Sequence, residues 1–316
     1  MVGVSGSGKS TLICEALYQS LQNLLLFRPE PSLCHPERKR WVPRLFGLED
    51  IEGWEELSSV YLVDHSPIGN TPRSIPATYI NVFTDIRRAF ANTLLAKQFG
   101  YDEGRFSFNN EEGQCPHCRG HGVIKVEIPF LPTLYQTCEY CQGRRYNQET
   151  LRIKLKGKSI ADVLEMDFAF ALEFFENYSA IKRNLELVCQ IGLDYLLLGQ
   201  PSPTLSGGEV QRIKLAKELG KSHSKPVLYI LDEPTTGLHI LDVEKLASVL
   251  QGLVSKGHTV VFIEHNPELI KHADWVIELG PEGGDEGGEL LFSGPIDEFL
   301  DKNTETAKVF REYAKH

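Results

Sequence analysis

Eight residues near the start of the chain, Gly3-Val4-Ser5-Gly6-Ser7-Gly8-Lys9-Ser10, restrict the possible folds more than any other stretch. Glycines at this spacing let backbone N–H groups converge on a phosphate; Lys9 brings an ammonium to the β and γ positions and Ser10 a hydroxyl for Mg2+. Such a loop joins a buried strand to a helix, and Leu12, Ile13, Ala16 and Leu17 supply the helical pattern from Thr11 to Ser20. Only Met1 and Val2 remain for the strand, so the chain reads as a fragment, a misplaced start or a piece split from a larger polypeptide. Gly3 to Thr11 are therefore the phosphate-facing candidates.

The later sequence alternates apolar runs with helical patterns. Strands are expected at 227–231, 259–263 and 275–279, helices at 209–219, 242–255 and 267–271, and an edge strand at 289–293 after a Gly-rich acidic turn. This alternation predicts an α/β fold with a mainly parallel sheet covered on both faces. Ser59–Val63 reads as a short strand, and 85–97, 167–178 and 182–191 as helices. Residues 24–54, with Pro29, Pro31, Pro36, Pro43 and a basic run at 35–44, read as a surface excursion.

Two acids end the apolar run Val227–Leu231, as a buried strand delivering carboxylates at its C-terminal edge would place them. Asp232 is the second candidate for Mg2+, and Glu233 the group that orients or polarises an attacking water. Ser206, Gly207 and Gly208 open the next candidate anion site at a helix N-terminus, within Leu205-Ser206-Gly207-Gly208-Glu209. In this order the three motifs resemble the ATP-binding cassette superfamily. That resemblance implies that the Ser206 segment of one cassette closes on nucleotide held by another, so a single cassette needs a second copy or a partner. His265, ending the next strand, matches the superfamily's switch histidine. The place of the glutamine that senses Mg2+ and water is taken by His65, a shorter side chain that titrates near neutrality.

Cys115-x2-Cys118 and Cys138-x2-Cys141 stand nineteen residues apart, a spacing that suits a tetrahedral site of four cysteine thiolates. Four soft sulfurs favour structural Zn2+, with His117 and His121 as bystanders. Cys14, Cys34 and Cys189 lack paired spacing and read as core or surface thiols. The chain carries a formal net charge of −10, which argues against nucleic acid, but residues 105–158 hold nine Lys or Arg against five Asp or Glu. Arg119, Lys125, Arg144 and Arg145, interleaved with Phe130, Tyr135, Tyr140 and Tyr146, are the candidate DNA contacts. Phosphate contact there would be local and salt-sensitive.

The resemblance then narrows. The loop Gly3–Leu12, the segment Asp64–Tyr79, Gly104–Asn109, the cysteine insert with Gly122–Glu127, and Leu228–His239 are together similar to the carboxy-terminal half of the UvrA family, over nearly the whole chain. These are the damage-recognition ATPases of bacterial nucleotide excision repair. Departures are His65, Asn70 and Ile75. The resemblance implies an ATP-binding-cassette fold with an inserted helical signature region and a zinc-bearing hairpin, ATP, Mg2+ and Zn2+ as cofactors, and ATP hydrolysis coupled to binding of damaged double-stranded DNA. It further implies a UvrB-type helicase partner, a second cassette from a homodimer or from an amino-terminal half, and no nuclease site. The domains expected are 1–100 and 223–316 as the two parts of the cassette, 101–158 as the zinc insertion and 159–222 as the helical signature region.

Two other readings fit the same motifs. A transporter's ATPase subunit would share all three, but has no use for zinc pairs or for about 140 residues between Asp64 and the signature. A hydrolysis-deficient nucleotide-dependent DNA adaptor would account for His65. No apolar run approaches the ~20 residues of a membrane-spanning helix, and Met1 leads straight into the loop without a secretory leader. Together with cysteines paired for metal, these features give the expectation of a cytoplasmic protein without membrane contact.

Overall fold

The computed structural model describes residues 1–27, 45–126, 134–221 and 223–313. It divides into two compact units, one built from Met1–Asp64 and Ser222–His316 and the other from His65–Lys221. The segments 101–158 and 159–222, separated in the sequence reading, thus cluster in one unit up to Lys221, together with residues 65–100. The basic run at 35–44 and Phe130 lie outside the described residues.

The strands are β1 (Val2–Gly3), β2 (Ser59–Val63), β3 (Val123–Val126), β4 (Leu134–Thr137), β5 (Val227–Asp232), β6 (Thr259–Ile263), β7 (Trp275–Gly280) and β8 (Glu289–Pro295). In the first unit β2, β5 and β6 pair in parallel, with Val63 opposite Leu231 and Asp232 opposite Ile263. A second set runs β1-β7-β8, parallel between β1 and β7 and antiparallel at the edge strand β8. Met1 joins the two sets: its N-terminus donates to Phe262 O at 2.5 Å and its carbonyl accepts from Glu264 N at 3.1 Å. The strand order is therefore β2-β5-β6-β1-β7-β8. β5 is apolar along its length because both of its faces are covered, and Val227 to Leu231 are all buried.

One core gathers Met1, Ile13, Leu21, Val60, Leu228, Ile230, Ile263 and Leu279, and another gathers Val2, Ile270, Val276, Phe292, Phe299 and Phe310. The successive residues Met1 and Val2 enter different cores, which is the alternation of an extended segment covered on both sides. Parallel pairing brings the C-terminal ends of β5, β6 and β1 to one edge of the sheet, where Asp232, Glu264 and the loop after Gly3 emerge together.

The helix after the loop starts as a π-helical stretch, Thr11–Leu17, and continues as an α-helix over Tyr18–Leu26, beyond the expected Ser20. Buried Leu21 and partly buried Leu24 and Leu25 keep the extra turn packed on the core. In the second unit the helix expected at 85–97 is two helices, Val82–Ala91 and Leu94–Gln98. Thr93 makes the break, its hydroxyl accepting from Ala96 N at 3.4 Å to cap the second helix. Helices Phe168–Phe174, Ser179–Gln190 and Gly207–Leu219 follow, the first capped by Asp167, which accepts from Phe170 N at 2.7 Å. Among the described residues no helix is long and apolar enough to cross a membrane.

Candidate functional site

The glycine loop of the first unit depends on close backbone packing. Gly3 has φ +134°, and a Cβ there would lie 2.0 Å from Leu279 O, so the last residue of β1 has to be glycine. Gly6 and Gly8 also take positive φ, a conformation that favours glycine. Lys9 is buried and folds back over the loop, its Nζ donating to Val4 O at 2.7 Å, Gly3 O at 3.0 Å and Ser7 Oγ at 3.4 Å. Burial lowers its pKa below the usual lysine range, against the opposing pull of Glu233 and Asp232. The Gly-rich turn between β7 and β8 is a second wall of this loop. Gly284 N donates to Gly6 O at 3.1 Å, and a Cβ on Gly283 would come within 2.5 Å of Ser5 O.

Ser10 and Asp232, 222 positions apart, meet at 3.3 Å between Oγ and Oδ1, the pair of oxygens that a loop-bound divalent cation requires. Glu233 adopts φ +47°, unusual for a residue with a side chain, and its Oε1 stands 4.0 Å from His265 Nε2. The structure thus gathers Gly3 to Thr11, Asp232, Glu233 and His265 at one edge of one sheet. Sequence reasoning passed over Glu264 beside His265. It is buried at 3% exposure, and its carboxylate accepts from Thr235 N at 2.9 Å, Thr235 Oγ1, His265 N at 2.6 Å and Asn266 N at 3.0 Å. A carboxylate directly after an apolar strand was the available signal, and the same signal had singled out Asp232. Half-buried Cys14 lies below the edge; burial pushes its thiol up to about 12, so it remains a protonated core thiol, and Cys34 lies outside the described residues.

The second unit holds the other candidates. Ser206 caps the Gly207–Leu219 helix through a complete capping box, its Oγ accepting from Glu209 N at 3.3 Å while Ser206 N donates to Glu209 Oε2 at 2.7 Å. Tyr195 Oη donates to the remaining Glu209 oxygen at 2.9 Å. His65 lies against this turn: a Cβ on Gly207 would be 3.2 Å from its Nδ1. Lys214 on the same helix donates to Ser66 Oγ at 2.7 Å.

All four paired cysteines are buried, and their sulfurs lie within 4.8 Å of one another. A tetrahedral cation with bonds of about 2.3 Å holds sulfurs ~3.8 Å apart, and Cys118 and Cys141 already stand 3.6 Å apart. The two knuckles repeat one backbone shape. The residue after each second cysteine is left-handed, Arg119 at φ +49° and Gln142 at φ +52°, and a left-handed glycine follows, Gly120 or Gly143. Burial pushes the Cys118 thiol up to about 12 and raises Cys141, whereas at Cys138 the N–H groups of Cys141 and Tyr140 outweigh burial and lower it. A bound cation would take the sulfurs as thiolates.

The basic candidates separate. Arg145 is buried, donates to Pro72 O at 2.8 Å and Gly199 O at 3.2 Å, and covers the Phe108 ring. Arg144 pairs with Asp162, the carboxylate that completes the capping box of Ile160–Leu164. Arg119 and Lys125, with Asn70, His117, His121 and Tyr135, line a cavity of about 330 Å³ beside the hairpin. Tyr140 is exposed and stacks on His117 at 4.3 Å, while Tyr146 is buried with its hydroxyl on Phe106 O.

No family model matches the chain. The chain is 54% identical over all 316 of its residues to the UvrABC system protein A of Aquifex aeolicus, covering 33% of that protein. To the Thermus thermophilus protein of the same name it is 55% identical over 298 residues, which is 94% of this chain and 30% of that one. The chain is homologous to UvrA. The crystal structure of UvrA2 from Deinococcus radiodurans superposes with a TM-score of 0.86 and 44% identity over 98% of this chain and 36% of that chain. The fold is accordingly the ATP-binding-cassette fold of UvrA, and the four-cysteine cluster beside the hairpin is consistent with a zinc site. The chain spans about a third of the length of the curated UvrA relatives it matches.

Proposed function

We propose that this chain is a nucleotide-binding and hydrolysing cassette of the UvrA type, serving DNA-damage recognition in nucleotide excision repair. The observation that carries the reading is the single edge at which Lys9, Ser10, Asp232, Glu233 and His265 assemble. Lys9 would exchange its bonds to Gly3 O and Val4 O for the β and γ phosphates of ATP, while the loop N–H groups take the remaining oxygens. Ser10 and Asp232 would hold Mg2+, which supplies charge neutralisation between the phosphates. Glu233 would orient the attacking water, and His265, 4.0 Å from it, would donate to the γ-phosphate. The signature turn Ser206-Gly207-Gly208 would act on nucleotide held by a second cassette, from another copy or from the remainder of a UvrA-length protein, and His65 would take the glutamine's place toward Mg2+ and the attacking water.

Zn2+ on Cys115, Cys118, Cys138 and Cys141 would be structural, because four thiolates leave no open position. For damaged double-stranded DNA we favour Arg119 and Lys125, which are exposed beside the cavity, with Tyr135 and Tyr140 as stacking surfaces, over the buried Arg145. A UvrB-type partner belongs to the same reading. His65 in the glutamine position sustains one alternative, a cassette that binds nucleotide and DNA without turnover. The deciding experiment measures ATP binding and DNA-modulated ATP hydrolysis by the chain, alone and with the complementing part of a UvrA protein. Binding with DNA-dependent turnover is expected, and binding without turnover would leave the adaptor.

A further inference from the structure

Two features near the nucleotide edge call for a common cause. Glu233 is held in a left-handed backbone conformation, which a glutamate adopts only when its surroundings fix it there. Its carboxylate also keeps a defined distance to a histidine that belongs to a different strand and a different loop. Glu233 itself contributes little to this order: its N–H donates to Ile263 O at 2.9 Å and its carbonyl accepts from Thr236 N at 3.1 Å. Beyond that one strand-end bond, the tie between the two loops comes from Glu264, the acid next to His265.

We propose that Glu264 is a positioning residue that locks the Glu233 turn and the His265 turn together. One carboxylate oxygen, Oε1, takes both the N–H and the hydroxyl of Thr235, two residues beyond Glu233. The other, Oε2, takes the N–H groups of His265 and Asn266. Four donors from two loops converge on one buried side chain, and the backbone N–H of the same residue donates to Met1 O, next to the strand that leads into the glycine loop. Only an acceptor with two free oxygens satisfies this arrangement. Glutamine has the same shape but turns an NH2 toward at least one set of N–H groups. With a donor facing donors, the loop on that side has to open. Both Glu264 oxygens are taken up by donors of the two turns, so it acts through Glu233 and His265.

The inference rests on the ATPase reading for its kinetic consequence but not for its structural one, and both are measurable on the full chain. Amide hydrogen exchange reads the tie directly. In Glu264→Gln, exchange at the amides of Thr235, His265 and Asn266 should rise about tenfold or more, while ATP affinity, set by Lys9 and the loop, stays within about threefold. In the presence of a complementing cassette, kcat should fall about tenfold or more with KM little changed, and Glu264→Asp should recover part of both effects. Unchanged exchange in Glu264→Gln overturns the proposal, as does raised exchange with unchanged kcat. If the wild-type chain binds ATP but does not turn it over, the ATPase reading fails, and raised exchange in the variant still upholds the tie. Should Glu264→Gln not fold, Glu264→Asp provides the same exchange comparison, and its failure to alter those three amides overturns the proposal.

Discussion

The chain contains two glycine- and serine-bearing helix starts that look equally able to bind an anion, and the structure treats them differently. At Gly3–Ser10 the N-terminal serine does not cap its helix; its hydroxyl turns to Asp232, and the only cation in the loop is Lys9, held on carbonyls. At Ser206–Glu209 the serine caps its helix, and the Glu209 carboxylate already occupies the position that the helix dipole favours for a negative charge, secured by Tyr195. In the proposed reading the first turn is held ready by Lys9, whose bonds to Gly3 O and Val4 O phosphate would replace. The second is self-satisfied as a helix cap, the Ser206 hydroxyl accepting from Glu209 N with its own O–H still able to donate. Glycine content does not distinguish them; the partners of the first N–H groups do.

The largest test of this contrast is Lys9→Ala, which should weaken ATP binding at least about 100-fold, roughly 2.7 kcal/mol, in an equilibrium titration; unchanged affinity would sink the phosphate-loop assignment. Cys138→Ser should come next. Loss of bound zinc in metal analysis and a clearly lower melting midpoint for the second unit are expected, with ATP binding within about twofold because Lys9 belongs to the other unit. Wild-type protein free of zinc would refute the four-cysteine centre. Gly283→Ala sharpens the first turn: the added methyl, 2.5 Å from Ser5 O, should push the loop wall away and reduce ATP affinity about tenfold.

Smaller effects probe the self-satisfied turn and its surroundings. Glu209→Ala removes half a capping box and should cost about 1 kcal/mol in thermal or denaturant unfolding while leaving ATP affinity of the isolated chain unchanged. A matching loss of affinity would show that the two turns are not independent. The smallest effect concerns acid. At Asp162 partial burial raises the pKa, but the N–H and hydroxyl of Ser159, then Lys154 and Arg144, outweigh it and bring the carboxyl down to about 2. A carboxyl lowered on folding stabilises above its unfolded value near pH 4 and loses that contribution as pH falls toward about 2. Asp162→Asn should therefore flatten the stability curve between these pH values, and an unchanged curve would remove the assignment.

Several of these features could be read from residues alone, for identifiable reasons. Ser59–Val63 and Thr259–Ile263 occupy the expected spans because runs of β-branched and apolar residues bounded by polar ones carry their own period. Apolar spacing that continues past Asn92 and Thr93 predicts one helix at 85–97, whereas the Thr93 hydroxyl offers a local cap that competes with continuation. Arg144 and Arg145 entered the DNA set by composition, which cannot distinguish a guanidinium facing water from one held by Pro72 O and Gly199 O. Glu264 escaped notice beside a more familiar histidine, since the four donors that give it a role come from residues whose convergence needs two strand ends side by side.

The sequence by itself determined the glycine loop, the acids after β5, the signature turn, the two cysteine pairs and the alternation that makes the sheet parallel. All of these are set by short-range spacing, and short-range spacing is local chemistry. Only the tertiary structure decided which groups meet. It inserted β1 between β6 and β7, brought Ser10 to Asp232 across 222 positions, withdrew Arg145 into the interior and gave Glu264 its four donors. The physical reason is that such meetings depend on strand order and on burying polar groups only where partners wait for them. Both are properties of the whole packed unit, and no window of the chain contains them.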